Sequence, residues 1–393
     1  GQNRNAKGGA SLMSGHGDAL ARDFRTAVND PRLEPRLDRQ HGGDVDAWAK
    51  NTGIEAGEIL DFSASINPLG PPPSARGSFI KSYGEISRYP DPYGENLKEA
   101  LAKRHRMKST EVLVGNGSTQ LIYLLCAALQ PRTALVIDPA FSEYANALTL
   151  AGANLRTLSL PADAGFQFSR ERFMAVWKRD CDILFLATPN SVTGQLIPRT
   201  EIEKIAYIAF TRKSFVVIDE AFIDFVEGES VKTLVRQNPY LIVLRSLTKY
   251  YALPGLRVGY LLAHTRRVEQ LAAYLEPWSV NGPAQQVALA CLADGSFRFR
   301  TERWLQRERR FLAQGLNALK GFQPYPSSTN FLLVRMEDNN ADALVLRSFL
   351  LGRKMLIRAC DSFAGLGAGY FRVAARKRRD NQRLLNALRE WTA

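Results

Sequence analysis

Hydrophobic residues in the middle of the chain fall into two alternating patterns. Short, continuous apolar runs predict buried β-strands, and the longer segments between them, apolar on one face, predict helices. Strands are predicted at residues 111–114, 134–137, 183–186, 215–218 and 241–244, and helices at residues 96–106 and 119–129. Because such strands pair in parallel and are covered on both faces, we predict an α/β domain with a largely parallel sheet.

The pattern changes after about residue 295. A charged helix is followed by a strand, a helix, two strand-like segments and a terminal helix, which is typical of a smaller α+β domain. The first five of these elements are predicted at residues 297–319, 330–334, 341–351, 355–358 and 370–374. The predicted organisation is a polar N-terminal tail or arm (1–37), a segment packing on the small domain and the site (38–80), a large domain (81–294) and a small domain (295–393).

Composition is ordinary for a soluble globular protein, with 45% hydrophobic and 23% charged residues in a chain of 393. No apolar run approaches the roughly 20 residues that cross a bilayer. The first residues lack the pattern of a signal peptide. The four cysteines, at positions 126, 181, 291 and 360, have no paired spacing and are expected to be reduced. We therefore expect a cytoplasmic protein without a membrane partner.

The net charge of +13 favours anionic partners, either nucleic acid or phosphorylated metabolites. The cationic residues are spread along the chain, with one short run at residues 376–379. No zinc-binding spacing or nucleic-acid-binding signature accompanies them. We therefore expect a small anionic ligand on an arginine-rich protein, with no nucleic acid and no bound metal.

The first candidate site is the turn at residues 115–119, between a predicted strand and the helix that follows it. Glycines such as Gly117 let backbone approach a phosphate, the helix N-terminus supplies free N–H groups, and Ser118 and Thr119 add hydroxyls. Such turns are also common connectors, so the motif alone is weak.

Two further motifs follow neighbouring predicted strands. Asp219 could pair with the protonated pyridine nitrogen of pyridoxal 5′-phosphate (PLP), although a solvent-facing carboxylate or a metal-binding Asp-Glu pair would look the same. Lys249 could form a Schiff base with an aldehyde if its pKa is lowered, while Ser246 and Arg257 reach a phosphate nearby. A lone lysine is usually a surface residue, and the spacing of these three is what favours the site.

Arg358 and Arg372 lie near the ends of strands predicted in the second domain. The planar guanidinium of arginine binds a carboxylate or phosphate through two hydrogen bonds. The alternative is a pair of exposed arginines in an arginine-rich protein.

Together these residues carry a family resemblance that runs from about His41 to the C-terminus. The chain resembles the fold-type I PLP-dependent enzymes, in the subgroup of the histidinol-phosphate aminotransferases, and within it above all the L-threonine-O-3-phosphate decarboxylases of cobalamin biosynthesis. Further matching segments are residues 41–43, 60–64, 66–70, 88–91, 219–225, 244–249, 254–257 and 277–281. The resemblance implies a mostly parallel seven-stranded sheet in a large domain, a smaller α+β domain, PLP as cofactor and a homodimer.

The resemblance also implies individual roles. Lys249 and Asp219 would be the catalytic residues. The cofactor would be held by Gly117, Ser118, Thr119, Phe141, Asn190, Ser191, Asp219, Phe222, Ser246, Lys249 and Arg257, and by Tyr89 from the other subunit. Phe141 would stack on the pyridine ring, with Tyr144 as the nearby alternative. Phe222 would lie near the 3′-oxygen of the cofactor.

The substrate would be bound by His41, Gly42, Ser65, Ser191, Arg358 and Arg372. Two of these depart from the family pattern, because Ser191 and Ser65 stand where the family has asparagine. Ser191 is shorter than asparagine, so a water would be needed to reach the 3′-oxygen of the cofactor, or Asn190 would substitute. A lost hydrogen bond to a charged group is worth about 1.5–3 kcal/mol, which is enough to change substrate preference.

The resemblance therefore implies a PLP-dependent decarboxylase of a phosphorylated amino acid. L-threonine O-3-phosphate is the first candidate, and O-phosphoserine or a phosphonate amino acid is open because of the two serines. One alternative is an aminotransferase of the histidinol-phosphate type. An alternative of another class is a non-catalytic protein that binds polyanions and has retained the fold.

Overall fold

The computed structural model describes residues 41–338 and 340–392. The predicted arm at residues 1–37 lies outside the described residues. The strands are β1 (Leu60–Asp61), β2 (Val112–Gly115), β3 (Thr133–Asp138), β4 (Asn154–Ser159), β5 (Ile183–Ala187), β6 (Phe215–Asp219), β7 (Leu241–Ser246), β8 (Gly259–Ala263), β9 (Phe322–Pro324), β10 (Phe331–Met336), β11 (Met355–Leu356), β12 (Arg358–Ala359) and β13 (Tyr370–Ala374).

The helices cover both faces of the large sheet and flank the small one. They are α1 (Val45–Thr52), α2 (Pro73–Tyr83), α3 (Glu95–His105), α4 (Gly117–Leu129), α5 (Ser142–Leu150), α6 (Arg170–Val176), α7 (Arg199–Arg212), α8 (Thr265–Ala272), α9 (Gly282–Ala293), α10 (Gly295–Asn317), α11 (Ala343–Leu351) and α12 (Arg378–Thr392). No helix among the described residues has the length and apolar character needed to cross a membrane.

The large sheet has seven strands in the order β2-β8-β7-β6-β5-β3-β4. Its neighbours pair in parallel except at β8, which runs antiparallel to both β2 and β7. The prediction of a largely parallel, seven-stranded α/β sheet is confirmed. Because the parallel strands end at one edge, the segments that follow β2, β3, β5, β6 and β7 meet there.

Both faces of this sheet are packed, as its continuous apolar strands require. Val216 and Ile218 of β6 belong to one apolar core, and Val217 belongs to the core on the opposite face. Adjacent β7 divides its side chains in the same way, with Val243 on the first face and Leu244 on the second. The alternation follows from the two-residue repeat of a pleated strand.

The same alternation separates the polar residues at the ends of these two strands. Asp219 and Ser246 lie on the face where the site forms, whereas Glu220 and Arg245 are buried on the other. Arg245 Nη1 donates to Glu220 Oε2 over 2.9 Å, and both side chains are fully buried. This ion pair holds β6 to β7 directly behind the two site residues.

The buried arginine serves a cluster of acidic groups. Arg245 Nη2 lies 3.2 Å from Asp224 Oδ1 and donates to Glu227 Oε2 over 2.5 Å. Burial opposes ionisation of Glu227, but Arg245 and Lys232 lower its pKa to about 2. Burial raises the pKa of Glu220. Arg245 therefore helps to neutralise three carboxylates rather than one.

A second, four-stranded sheet lies in the C-terminal part of the chain. It is antiparallel throughout, in the order β12-β13-β10-β9. Segment 355–358, predicted as one strand, divides into β11 and β12, which join different sheets. The edge strand β4 of the large sheet was not predicted, because its alternating exposure gives no continuous apolar run.

The N-terminal segment packs against elements of this C-terminal part. β1 pairs in parallel with β11, and Ile59, Trp48 and Val45 pack with Leu351 and Leu356. The predicted N-terminal segment at residues 38–80 and the domain boundaries at residues 80 and 294 stay predictions.

We expect Arg245→Met to lower the free energy of unfolding of the apoprotein by about 3–5 kcal/mol, because it leaves the buried Glu220 carboxylate without its cation. Urea denaturation measures the change. Lys204→Met removes an exposed pair with Glu201 and should change the free energy by at most about 1 kcal/mol. Equal effects of the two substitutions would contradict a special role of the buried network.

Candidate active site

A cavity of about 430 Å³ lies at the carboxyl edge of the large sheet. Its size is in the range of small-molecule and cofactor sites. The predicted site residues that line it are His41, Gly42, Ser65, Ser118, Thr119, Phe141, Ser191, Asp219, Phe222, Ser246, Lys249, Arg257, Arg358 and Arg372. Gly117, Asn190 and Tyr89 do not line it. Sequence motifs from both parts of the chain therefore converge on one cavity.

One end of the cavity is a cradle of bare backbone. Gly259 of β8 pairs with Gly115 on one side and with Ser246 on the other. A Cβ on Gly259 would lie 2.5 Å from the amide nitrogen of Ser118, so that only glycine fits beside the first turn of α4. Gly117 has a φ of +79°, and a Cβ there would lie 2.7 Å from Arg257 Nη2. These glycines let the backbone of β8 and the guanidinium of Arg257 lie against the first turn of α4, whose free N–H groups can bind an anion.

Hydroxyl and guanidinium groups surround this cradle. Ser246 and Thr248 share a hydrogen bond of 2.8 Å between their hydroxyl oxygens, and both line the cavity. Arg257 Nη1 donates to the carbonyl of Pro254 over 3.3 Å, which holds its guanidinium beside Gly117. Thr248 was not among the predicted site residues. Its position between Ser246 and Lys249 is the sequence feature that could have identified it as a site residue.

Lys249 lines the same cavity as Arg257 and Asp219. Burial, followed by the charges of Arg372 and Arg257, lowers the pKa of its amine to about 8. The backbone carbonyl of Lys249 accepts a hydrogen bond of 3.0 Å from the amide of Asn67. A partly deprotonated, anchored amine is the form that attacks an aldehyde.

Asp219 ends β6 with its carboxylate buried at the bottom of the cavity. Its Oδ2 accepts a hydrogen bond of 2.6 Å from the hydroxyl of Tyr144, and its Oδ1 accepts one of 2.8 Å from the amide of Ala221. Burial raises the pKa of Asp219, while these two donors and the charge of Lys249 favour the ionised form. Tyr144 stacks on Phe185 at 5.2 Å and does not line the cavity.

Aromatic side chains form the walls. Phe141 lines the cavity and meets Tyr144 edge-on at 5.8 Å, which leaves Phe141 as the candidate to stack on a ring. Phe222 lines it as well and packs edge-on against Phe331 at 5.3 Å. Tyr144, the sequence-based alternative to Phe141, has its hydroxyl on Asp219 instead.

The loop after β5 uses its two polar residues differently. Asn190 Nδ2 donates to the carbonyl of Pro139 over 2.9 Å, and its Oδ1 accepts from the amides of Val192 and Thr193. The Asn190 side chain thereby bonds to the backbone of its own loop and of the segment after β3, and it does not line the cavity. Its expected contact with the cofactor stays a prediction. The Ser191 hydroxyl is buried at the cavity and, among the described residues, has no hydrogen-bond partner. The same holds for the Ser65 hydroxyl.

Two arginines from the small sheet form the far wall. Arg358 of β12 and Arg372 of β13 are direct partners in the register of these strands. Arg372 donates to the carbonyls of Ser191 and Ser63, and burial lowers its pKa to about 10. Arg358 Nη2 donates to the Ser362 hydroxyl over 3.1 Å. Both guanidinium groups are therefore oriented before any anion arrives.

The N-terminal segment closes the cavity from another side. A Cβ on Gly42 would lie 2.5 Å from the carbonyl oxygen of Ser63, and the Gly43 amide donates to the Ser63 hydroxyl over 2.8 Å. His41 Nε2 lies 3.1 Å from Glu143 Oε1. Glu143 also lines the cavity and was missed from the sequence, because a single carboxylate in a helix carries no signal of its own.

Tyr89 lies away from the cavity of its own chain. It is 83% exposed, and its ring lies 4.8 Å from that of Trp278 at an interplanar angle of 36°. Its expected contact with a cofactor phosphate across a subunit interface stays a prediction. Among the described residues, no cluster of three or more His, Cys, Asp and Glu side chains could hold a metal ion.

The arrangement fits PLP. Ser118, Thr119 and Arg257 line the cavity where a phosphate can bind. The Lys249 amine is available for an aldehyde, and the Asp219 carboxylate can face a pyridine nitrogen. The phosphate, the aldehyde and the pyridine nitrogen are the groups through which a protein can bind PLP. The seven-stranded sheet with a site at its carboxyl edge is the fold-type I arrangement of PLP-dependent enzymes.

Comparison with known proteins agrees. The family model for aminotransferase class I and II matches residues 57–388. The chain is 38% identical over 351 residues to the threonine-phosphate decarboxylase of Salmonella typhimurium, covering 89% of this chain and 95% of that protein. It is 33% identical to the histidinol-phosphate aminotransferase of Caldanaerobacter subterraneus, covering 80% of this chain and 87% of that protein.

A solved structure shows the same likeness. The L-threonine-O-3-phosphate decarboxylase of Porphyromonas gingivalis matches with a TM-score of 0.75 at 27% identity, over 85% of this chain and 99% of that one. The chain belongs to the aminotransferase class I and II family and is an enzyme whose cofactor is PLP.

We expect Gly259→Ala to weaken PLP binding to the apoprotein by about tenfold to a hundredfold, because the added Cβ displaces the Ser118 amide. Quenching of tryptophan fluorescence during titration with PLP gives the dissociation constant. Gly255→Ala, at a glycine with open space around it, should leave the constant unchanged. An unaltered constant in a folded Gly259→Ala protein would exclude this strand from the phosphate site.

Proposed function

We propose that this enzyme is a lyase that removes the α-carboxylate of a phosphorylated amino acid. The first candidate is L-threonine O-3-phosphate, giving (R)-1-aminopropan-2-yl phosphate in cobalamin biosynthesis. The observation that carries the proposal is the wall formed by Arg358 and Arg372, opposite Lys249 in one cavity. Two guanidinium groups suit a substrate with two anionic groups, a carboxylate and a phosphate. The similarity to the Salmonella typhimurium decarboxylase supports this assignment.

The residues divide the chemistry between them. PLP, when bound, accepts the electrons of a bond that breaks at the α-carbon of an amino acid. Asp219 would hold a proton on the pyridine nitrogen, which keeps the ring electron-poor. Lys249, with a pKa of about 8, can carry a proton to the α-carbon after carbon dioxide has left. The carboxylate is thus replaced by hydrogen, and no electron acceptor is consumed.

The arginines would decide which bond breaks. The bond held perpendicular to the ring is the one that the cofactor activates, so the orientation of the substrate selects loss of carboxylate or loss of hydrogen. Arg372 is fixed by the carbonyls of Ser63 and Ser191, and Arg358 by Ser362. His41, at the mouth of the cavity, adds a third group that can bind an anion.

The two serines leave the choice of phosphorylated amino acid open. The hydroxyls of Ser65 and Ser191 are buried at the cavity without partners among the described residues. A buried hydroxyl left unpaired is unfavourable, so a substrate or a water would complete their hydrogen bonds. O-phosphoserine and a phosphonate amino acid therefore belong beside L-threonine O-3-phosphate as candidates.

Incubation of the holoenzyme with a substrate panel tests the proposed reaction. We expect carbon dioxide release from L-threonine O-3-phosphate without any added acceptor, and at least about tenfold lower turnover of L-threonine, which lacks the second anion. O-phosphoserine and a phosphonate amino acid complete the panel. Lys249→Ala should abolish sustained release, because it removes the amine that would bind the cofactor aldehyde and that would complete each turnover by protonating the α-carbon.

The alternative is an aminotransferase of the histidinol-phosphate type, favoured by the 33% identity to such an enzyme. It predicts glutamate formation that requires 2-oxoglutarate, with no carbon dioxide release. That result would overturn the decarboxylase proposal and keep the cofactor site.

The site would also need a second copy of the chain. Helix α2 and the segment after it expose a set of large apolar side chains: Phe79, Ile80, Tyr83, Ile86 and Tyr89. Grouped, exposed apolar side chains of this kind are typical of protein–protein interaction sites. We infer a homodimer in which this patch is covered and Tyr89 reaches the cofactor phosphate of the other subunit.

Mixed dimers test this inference. Tyr89→Phe should lower activity at limiting PLP, since it removes a hydroxyl donor to the phosphate while the ring still packs on Trp278. Mixing it with Lys249→Ala should then restore up to about a quarter of wild-type activity, because half of the dimers would hold one intact site. No recovery after subunit exchange would place Tyr89 in the site of its own chain or in none.

A further inference from the structure

The Tyr144 side chain is fully buried beneath the cavity. It follows Phe141 in the first turn of α5, stacks on Phe185 of β5, and directs its hydroxyl at Asp219 Oδ2 over 2.6 Å. The ring is thus held on one side by a strand of the large sheet and on another by the aromatic wall of the site.

We propose that Tyr144 is a positioning residue that presents the Asp219 carboxylate to the cofactor as an acceptor. The inference rests on the proposed pairing of Asp219 with the pyridine nitrogen. It adds that the pairing depends on a hydroxyl that does not itself touch the cofactor.

The hydrogen bonds of the carboxylate support this role. Each oxygen of Asp219 already receives one donor, from Tyr144 and from the amide of Ala221. A carboxylate oxygen has two acceptor sites, so each retains one for a further donor. Two fixed donors favour the ionised form and set the plane of the carboxylate. Asp219 lines the cavity, so its two remaining acceptor sites are available to a ligand there.

Without the hydroxyl, burial would act on Asp219 with less compensation. Desolvation already disfavours the charge at this position. Loss of the Tyr144 donor would leave the Ala221 amide on the other oxygen and free the carboxylate to rotate. The electrostatic attraction between Asp219 and a protonated pyridine nitrogen would weaken. Binding of the cofactor phosphate, at the other end of the site, would be unaffected.

The test compares two ligands with two proteins. One ligand is PLP, and the other is its carbocyclic analogue, in which a C–H group replaces the pyridine nitrogen. Dissociation constants for the apoproteins are measured by tryptophan fluorescence. Tyr144→Phe should weaken PLP by about 10- to 100-fold, the range expected for a hydrogen bond to a charged group. Binding of the analogue should change by less than about threefold, because it offers no nitrogen to Asp219.

A matched control removes a different buried hydroxyl. The Tyr260 hydroxyl lies 2.7 Å from His105 Nε2, away from the cavity. Tyr260→Phe should leave the preference for PLP over the analogue unchanged. In an Asp219→Asn background, Tyr144→Phe should have no further effect on PLP binding, which keeps the test valid if one single variant folds poorly.

The outcomes separate the two levels of the inference. If Tyr144→Phe weakens PLP and the analogue equally, Tyr144 supports only the fold and the proposal is overturned. If the wild-type protein binds both ligands equally, Asp219 does not engage the nitrogen, and the proposed role of Asp219 fails with it. A preference for PLP that Tyr144→Phe abolishes supports both.

Discussion

The site depends on one constraint, the alternation of side chains at the ends of two adjacent strands. β6 ends in Asp219 and is followed by Glu220, and β7 ends in Arg245 and Ser246. The pleat directs Asp219 and Ser246 to the cavity, and it directs Glu220 and Arg245 to the opposite face, where they form a buried ion pair. The spacing between the Asp219 carboxylate and the Ser246 hydroxyl is therefore set by charged side chains on the opposite face of the sheet, which do not line the cavity. A shift of one residue in either strand would exchange the two sets.

More positively than negatively charged side chains line the cavity, and this excess affects both anion binding and the reactivity of Lys249. Lys249, Arg257, Arg358 and Arg372 all line the same space. Their mutual repulsion is relieved when anions bind, so that the phosphate of the cofactor and the acidic groups of a substrate are attracted by the same field. The field also favours a neutral Lys249, since the two nearby arginines and burial lower its pKa together. Strong binding of anions and a reactive amine thus have a common origin.

Much of this could be predicted from the sequence, for identifiable reasons. Continuous apolar runs located five strands of the large sheet, and the residues that ended them located Asp219, Ser246 and Lys249. The edge strand β4 escaped because its residues alternate between exposed and buried. Tyr144 was read as a possible stacking residue, because nothing local shows that its hydroxyl meets a carboxylate 75 positions away. The pair formed by His41 with Glu143 likewise depends on folding at long range. The pair formed by Ser246 with Thr248 is local but depends on the rotamers of both side chains.

The position of β8 links the cofactor to the folding of the chain. Gly259 pairs with Gly115 and Ser246 at once, so the phosphate cradle exists only when segments near residues 115, 246 and 259 have met. Contacts of such wide sequence separation form slowly, since a long loop must close before they stabilise the chain. If this cradle binds the cofactor phosphate, as predicted, a newly made chain would become able to retain PLP only when β2, β7 and β8 have paired. Cofactor capture then stabilises that folded state over earlier ones, by a free energy that rises with the logarithm of the free cofactor concentration once this exceeds the dissociation constant.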